Sequence, residues 1–162
     1  QLPLFYNHLN TGRPDPDSHI FNRYASNYLD ESNEPLYPFG YGLSYTDFVY
    51  GELQISSETL PKNGELTVSV TVTNKGNYDG YETVQLYLRD IYAEVARPMK
   101  ELKGFERIFL KSGESRDVKF VITKDDLKFY NSELHYVYEP GEFDVMVGPN
   151  SRDVQTKSFQ AE

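Results

Sequence analysis

Carboxylates are the side chains of this sequence that could perform acid-base chemistry, and 25 aspartate and glutamate residues are available. General acid-base catalysis needs two carboxylates held a few ångströms apart in a cleft, and no pair here is set apart by its neighbours. Asp125 and Asp126 are adjacent, but they follow Thr123, a candidate N-cap whose helix would be stabilised by carboxylates in its first turn. We therefore predict a structural role for this pair and assign no catalytic residue to the chain.

Phosphate-binding and metal-binding patterns are also missing from the sequence. The stretch GYGLSY, Gly40–Tyr45, is glycine-rich, but it lacks the lysine of a phosphate loop and precedes a predicted strand rather than a helix. His8, His19 and His135 have neither HxH nor HExxH spacing, and the chain contains no cysteine. The sequence therefore predicts no metal site and no cofactor, and we interpret the glycines of GYGLSY as turn positions.

The overall charge argues against two classes of partner. Sixteen lysine and arginine residues against 25 acidic residues give the 162-residue chain a net charge of -9, and no basic run interrupts this balance. Nucleic acid and anionic membrane surfaces are bound by basic patches, so neither is predicted as a partner. No stretch of eighteen apolar residues predicts a membrane span, and no signal-peptide pattern is present.

From Phe48 onward, apolar and polar residues alternate with a period of two. This period indicates half-buried strands at Leu66–Val72, Val84–Leu88, Val118–Ile122 and Phe143–Val147, with weaker strands at about 49–56, 102–110, 134–138 and 156–160. Gln85, Tyr87 and Arg89 are predicted to face solvent. Short strands separated by Gly, Asn and Ser turns predict an all-β, immunoglobulin- or fibronectin type III-like antiparallel sandwich of seven to eight strands.

Residues 1–47, which we call the strap, have a different composition. They contain nine of the 24 aromatic residues and five of the nine prolines, but only three β-branched residues. Turn-forming residues break any period of 3.6 or 2, while the aromatic content is too high for a disordered tail. We predict an extended coil whose rings are buried against another structure. Tyr37, Phe39, Tyr41 and Tyr45 are the candidates for this packing.

Several separated motifs resemble one enzyme family. These motifs are FYNHLNTGRP, LYPFGYGLSYT, RPMKELKGFE and EPGEFDVMVG, and they occur in the order found in the carboxy-terminal portion of family 3 glycoside hydrolases. The resemblance extends over essentially the whole chain and is closest to bacterial periplasmic β-glucosidases of that family. It implies that residues 1–47 are the tail of a preceding α/β catalytic domain plus a linker, and that residues 48–162 form a fibronectin type III-like domain.

The resemblance also implies an activity for the parent protein and none for this chain. Family members are retaining hydrolases that use an aspartate nucleophile and a glutamate acid/base, and neither motif occurs here. The aspartate's Ser-Asp-Trp setting is impossible in a chain without tryptophan, and the sugar-binding Lys-His pair has no match. The implied role is that of an accessory domain, inactive alone, which packs on the catalytic domains of a periplasmic or secreted β-glucosidase.

Within this framework, two segments could reach a sugar at the rim of the active site. The long connection Arg89–Lys100 offers Tyr92 for stacking and Arg97 for hydrogen bonds to hydroxyls, although Arg97 could instead pin the loop to a neighbouring domain. The segment HLNTGRP offers Asn10, Thr11 and Arg13, although a plain turn stabilised by Asn10 and Pro14 is the favoured interpretation.

Two other functions remain open at this point. An independent carbohydrate-binding module needs a planar row of exposed rings, whereas the predicted outward tyrosines, Tyr78, Tyr81, Tyr87 and Tyr92, are scattered along the chain. An immunoglobulin-like interaction module is compatible with the strands but predicts neither the strap nor the family motifs.

Overall fold

Most segments in which apolar and polar residues alternate form strands in the structure. The structure is a computed structural model that describes residues 4–10, residue 28 and residues 32–162. Within these ranges the strands are β1 (Phe48–Tyr50), β2 (Gln54–Ile55), β3 (Thr59–Leu60), β4 (Leu66–Asn74), β5 (Gly80–Asp90), β6 (Glu101–Leu110), β7 (Ser115–Ile122), β8 (Phe129–Tyr130), β9 (Tyr136–Val137), β10 (Gly141–Gly148) and β11 (Gln155–Ala161). A short 3₁₀ helix, Lys124–Leu127, precedes β8.

The strands form two sheets that share one apolar core. In the first sheet, β4 pairs with β7 on one edge and with β1 and β2 on the other. The second sheet has the order β3-β11-β10-β5-β6, and β8 and β9 form a separate hairpin. This arrangement confirms the predicted all-β sandwich.

The core consists of the side chains that the period of two places on the inner faces. Leu66, Val68, Val70 and Val72 of β4 are at most 3% exposed, as are Val84, Leu86 and Leu88 of β5. Val118, Ile122, Phe143, Val145 and Val147 complete the predicted set, with Phe120 partly buried against it. Burial of each such side chain contributes about 1.5–3 kcal/mol, so these alternating strands hold the two sheets together.

Three details of the strand prediction are wrong. The segment predicted as one strand at about 49–56 is divided into β1 and β2, because the Leu53 amide donates to Gln155 Oε1 at 2.9 Å rather than to β4 and the Leu53 side chain is buried in the core. The predicted strand 134–138 shrinks to β9, whose partner is β8. The unpredicted strand β3 pairs with β11 in parallel, so the second sheet is mixed rather than antiparallel.

Asn74, a fully buried polar residue, connects the strap to the sandwich. Its Oδ1 accepts hydrogen bonds from Thr46 Oγ1 at 2.6 Å and from the Gly76 amide at 3.1 Å. Its Nδ2 donates to Tyr78 O at 2.7 Å and to Leu110 O at 3.2 Å. Thr46 is therefore part of the sandwich's hydrogen-bond network, although the domain boundary between residues 47 and 48 stays a prediction.

A second buried polar contact crosses between the sheets. Tyr50 of β1 donates its hydroxyl to Glu82 Oε1 of β5 at 2.7 Å. Burial raises the pKa of Glu82 above its usual value, and the hydrogen bond from Tyr50 opposes part of that increase. Burial and the nearby Glu82 carboxylate raise the pKa of Tyr50 as well, so the phenol remains a donor.

The Glu82 environment predicts a pH-dependent stability. The pKa of Glu82 is higher in the folded than in the unfolded chain, so the free energy of unfolding falls as pH rises from the unfolded-state pKa through the folded one. Glu82→Gln removes this dependence and is expected to be more stable than wild type at pH 7, with the difference vanishing near pH 4. Urea denaturation across this pH range measures it.

Tyr50→Phe is the matched variant, because it keeps the ring and removes only the donor to Glu82. We expect it to lower the free energy of unfolding at pH 7 by about 1–3 kcal/mol, since the half-buried carboxylate loses its hydrogen bond. A smaller loss in a Glu82→Gln background is expected, and equal losses in both backgrounds would contradict the coupling.

Candidate functional site

The strap covers part of the outer face of the second sheet. Gln85 and Tyr87 were predicted to face solvent, and this prediction is wrong: they are only 5% and 0% exposed. Gln85 Nε2 donates to Pro149 O at 2.6 Å, and the Tyr87 hydroxyl donates to Gln85 Oε1 at 2.5 Å. The ring of Tyr6 lies edge-on to Tyr87, with centroids 5.7 Å apart. Burial, with Tyr6 nearby, raises the pKa of Tyr87 to about 12.

Gly40 is the residue that allows the strap to approach this closely. Its φ is +79°, and a Cβ at this position would lie 2.2 Å from Gln85 Oε1. The backbone around it is fixed to the sheet, since Phe39 O accepts the Ser151 amide at 2.9 Å. Gly42 has an ordinary φ and open space around it, so the predicted turn role applies to Gly40 alone.

Several apolar side chains within the strap, between residues 36 and 45, are exposed. We define the strap patch as Leu36, Tyr37, Phe39, Tyr41, Leu43 and Tyr45, whose exposed fractions run from 41% for Tyr41 to 98% for Tyr45. Tyr37 and Tyr41 pack on each other at 5.4 Å, and Phe39 stacks on Tyr6 at 4.4 Å. Their burial against another structure, as expected from the sequence, stays a prediction, because these rings are exposed within this chain. Contiguous exposed apolar side chains of this kind are typical of a protein interface.

Arg97, a candidate sugar ligand, is occupied within its own domain. Its guanidinium contacts Asp90 Oδ2 at 3.3 Å and Glu101 Oε1 at 2.5 Å, and it lies 4.4 Å from the centre of the Phe129 ring. The Arg97 side chain is only 10% exposed. Burial raises the pKa of Asp90, while the charge of Arg97 acts in the opposite direction. Arg97 thus fixes the loop to the sandwich that carries it.

Tyr92 and Asn10 are the rim candidates that remain accessible. Tyr92 is 79% exposed on the connection between β5 and β6, and Asn10 is exposed as well. The structure brings their segments together, because Leu9 forms an antiparallel bridge with Pro98 and His8 O accepts the Met99 amide at 2.8 Å. Thr11 and Arg13 lie outside the described residues.

The remaining polar candidates have structural partners. Asp126 accepts hydrogen bonds from the Thr123 amide at 2.8 Å and from its hydroxyl at 2.9 Å, while Asp125 pairs with Lys128 at 2.6 Å. This confirms the structural role predicted for the two aspartates. Among residues 4–10, 28 and 32–162, no cluster of three or more potential ligands could hold a metal ion, and no helix is long and apolar enough to cross a membrane.

The outward tyrosines do not form the row that a sugar-binding face requires. Tyr87 is buried, and Tyr81 packs on Phe109 at 5.0 Å with Arg107 stacked 3.9 Å from its ring centre. Tyr78 is 65% exposed in the turn after β4. The structure therefore favours packing contacts over a planar aromatic platform on the sheet.

Three exposed apolar side chains on the hairpin of β8 and β9 were missed. Tyr130 and Tyr136 are 65% and 55% exposed, and their ring centroids are 5.0 Å apart. Leu134, between them, is 79% exposed and has a φ of 63°. The sequence contained a signal, since Asn131 and Ser132 are turn formers between two tyrosines, but the predicted strand began at Leu134 and hid the turn.

Comparison with known proteins identifies what the chain is similar to. A family profile described as a fibronectin type III-like domain matches residues 82–151. The chain is 49% identical, over 99% of its length, to a periplasmic β-glucosidase of Salmonella typhimurium, and 47% identical, over 98%, to a β-xylosidase of Formosa agariphila. It spans about a fifth of each relative's length, 21% in both cases.

A solved structure gives the same result for the fold. The β-glucosidase of Listeria innocua in complex with glucose is 44% identical and superimposes with a TM-score of 0.88. The match covers 99% of this chain and 22% of that enzyme. The matched residues of this chain therefore have structural counterparts within that longer β-glucosidase chain.

The contact between Gly40 and Gln85 predicts an asymmetric response of two neighbouring glycines. Gly40→Ala is expected to lower the free energy of unfolding by about 2–4 kcal/mol, because it adds left-handed strain to the loss of the Gln85 hydrogen bonds. Gly42→Ala is the control and is expected to be neutral or slightly stabilising. Urea denaturation measures both, and chymotrypsin cleavage at the strap tyrosines should accelerate only in Gly40→Ala. Equal effects at the two positions would contradict the prediction.

Proposed function

We propose that the chain is the carboxy-terminal portion of a family 3 glycoside hydrolase and serves as the accessory domain of a retaining β-glucosidase, because it matches that portion of such enzymes over nearly its whole length. The full-length parent would hydrolyse terminal β-D-glucosyl residues, using catalytic carboxylates from the part of the polypeptide outside this chain. This chain would pack on those domains and hold them in position. A periplasmic or secreted location accompanies the proposal, since a relative is named as periplasmic.

The strap patch is the observation that carries this proposal. Its six apolar side chains are exposed although the backbone at the centre of the patch is hydrogen-bonded to the sandwich, through Phe39 O to Ser151 and through Gly40 O to Gln85. A fixed backbone with exposed rings is preorganised for an interface, because little conformational entropy is lost when a partner covers it. The chain spans about a fifth of its relatives, so most of the parent polypeptide is available as that partner.

The polar groups of the chain support an accessory role. The buried carboxylates whose pKa values are raised are engaged in structural contacts, Glu82 with Tyr50 and Asp90 with Arg97. Asp90 has a second carboxylate nearby, Glu101, but Arg97 lies between the two and is bonded to both, so they are not free to act on either side of a glycosidic bond. The isolated chain is therefore expected to be inactive.

We further propose that Tyr92 contacts the substrate. Its ring is exposed at the end of a loop that Arg97 holds rigid, whereas Arg97 itself is committed to Asp90 and Glu101. An exposed tyrosine ring on a rigid loop can cover the apolar face of a pyranose. Asn10, on the neighbouring segment, could add a hydrogen bond.

The packing role predicts association of the isolated chain. Wild type is expected to self-associate in sedimentation velocity and to leave a chromogenic β-glucoside intact. Leu43→Asp/Tyr45→Asp, at positions 89% and 98% exposed, should sediment as a monomer with an unchanged melting temperature. In the full-length parent the same double variant should lose stability, by about 1.5–3 kcal/mol for each side chain that the interface buries. Val121→Asp, on the opposite sheet and 53% exposed, is the control.

An unaffected full-length parent would overturn the packing proposal. Saturable binding of laminarin or cellooligosaccharides by the isolated chain at millimolar concentration or below would instead support an independent carbohydrate-binding module.

If Tyr92 contacts the substrate at the rim of the active site, loss of its ring should raise KM and leave kcat unchanged. In the full-length parent, Tyr92→Ala should raise KM for an oligosaccharide by about 3- to 10-fold, as loss of one ring contact would. Tyr78→Ala, another exposed tyrosine, is the control and should behave as wild type. An unchanged KM for Tyr92→Ala would show that the loop does not contact substrate.

A further inference from the structure

The hairpin of β8 and β9 ends in an unusual turn. The Leu134 amide donates to Asn131 O at 3.0 Å, and the Asn131 amide donates to His135 O at the same distance. Asn131 Oδ1 accepts the amides of Glu133 and His135 at 3.1 and 2.9 Å. This network closes the turn and holds Leu134 at a φ of 63°. Three-residue hairpin loops normally place glycine at such a left-handed position.

Leucine at this position carries a conformational cost. Its Cβ crowds the following carbonyl in the left-handed region, and its side chain is 79% exposed. Tyr130 and Tyr136 flank it and are exposed as well. We define the hairpin tip as Tyr130, Leu134 and Tyr136. A strained backbone that presents an apolar side chain to solvent points to a partner outside the described residues.

The hairpin tip is held rigidly by the loop between β5 and β6. Arg97 lies over the Phe129 ring at 4.4 Å and is paired with Asp90 and Glu101. Ser132, in the turn, donates to Glu94 of the same loop. The tip is therefore presented in one orientation, as an interface anchor requires.

A series of contacts runs from the strap patch to the base of the hairpin. Tyr6 stacks on Phe39 of the strap patch, Leu9 bridges to Pro98, and Arg97, which precedes Pro98, covers Phe129. The segment 6–9 thus contacts both the strap patch and the loop that holds the hairpin.

We propose that the hairpin tip is a second docking point for the part of the parent polypeptide outside this chain, with Leu134 as the inserted side chain. This inference rests on the proposed accessory role. The missing part is large enough to reach both surfaces, because the chain spans only 21–22% of the relatives it matches. The match to the Listeria innocua enzyme covers 99% of this chain.

An oligosaccharide is the less suitable occupant of the hairpin tip. The Tyr130 and Tyr136 rings are tilted by 42° and pack on each other, so they do not offer one flat surface to a pyranose. A branched aliphatic side chain between them fits an apolar protein pocket better than a hydroxyl-rich ligand.

Leu134→Gly tests the proposal through a difference in sign. In the isolated chain it relieves the left-handed strain and should raise the melting temperature by about 2–4 °C. In the full-length parent the same variant removes the inserted side chain and should shorten the half-life at elevated temperature. Leu134→Asn, which tolerates the left-handed region, should behave in the same way. Val121→Thr is the control with small effects in both contexts.

Hydrogen exchange provides a direct readout of docking. Amides of Ser132–His135 are expected to exchange at least about tenfold more slowly in the full-length parent than in the isolated chain, because a docked turn opens less often. Equal exchange, or a stabilising effect of Leu134→Gly in both contexts, would overturn the proposal.

The result is distinguishable from failure of the accessory role itself. If Leu43→Asp/Tyr45→Asp destabilises the parent while Leu134→Gly stabilises it, the accessory role stands and the second docking point is wrong. If neither variant destabilises the parent, the accessory role and the second docking point are both wrong. Loss of oligosaccharide binding by the isolated chain on Tyr136→Ala would assign the tip to a glycan and contradict docking.

Discussion

The buried amide of Gln85 is the constraint on which the organisation of this chain depends. A side-chain amide on the outer face of a sheet must keep its hydrogen bonds when it is covered, and here Pro149 O and the Tyr87 hydroxyl satisfy it. The strap can cover Gln85 only because Gly40 has no Cβ. On both sides of Gly40, the side chains of the strap patch are exposed. The burial of one polar group and the exposed strap patch are thus features of the same short segment.

A division of labour follows from the way charges are distributed. Asp90 and Arg97, whose side chains are 2% and 10% exposed, form an ion pair that fixes a loop. Lys100, whose pKa is lowered by burial, donates to Ser151 O in the loop between β10 and β11. These polar groups are used for contacts within the chain, whereas the apolar side chains of the strap patch are left exposed. This distribution supports the proposed role as a domain that packs on another protein surface.

The period of two was sufficient to predict the core, because inward side chains such as Val68 and Val145 depend only on strand alternation. It failed at Gln85 and Tyr87, since a covered outer face looks the same in sequence as a solvated one. Leu134 was misassigned for a related reason. Its left-handed backbone depends on hydrogen bonds with Asn131, and leucine itself has no local preference for that conformation. Arg97 could be identified as important, but its pairing could not: Asp90 and Glu101 are close in sequence, yet only the fold of the loop directs the guanidinium to them and onto the distant Phe129 ring.

The route of the strap has a mechanical consequence. The Phe39 and Gly40 carbonyls are bonded to the loop between β10 and β11 and to Gln85 of β5, and the chain then enters the first sheet as β1, directly after Thr46 and its contact with Asn74. A force transmitted along the polypeptide into this chain would therefore be divided between hydrogen bonds to both sheets before it reached the core.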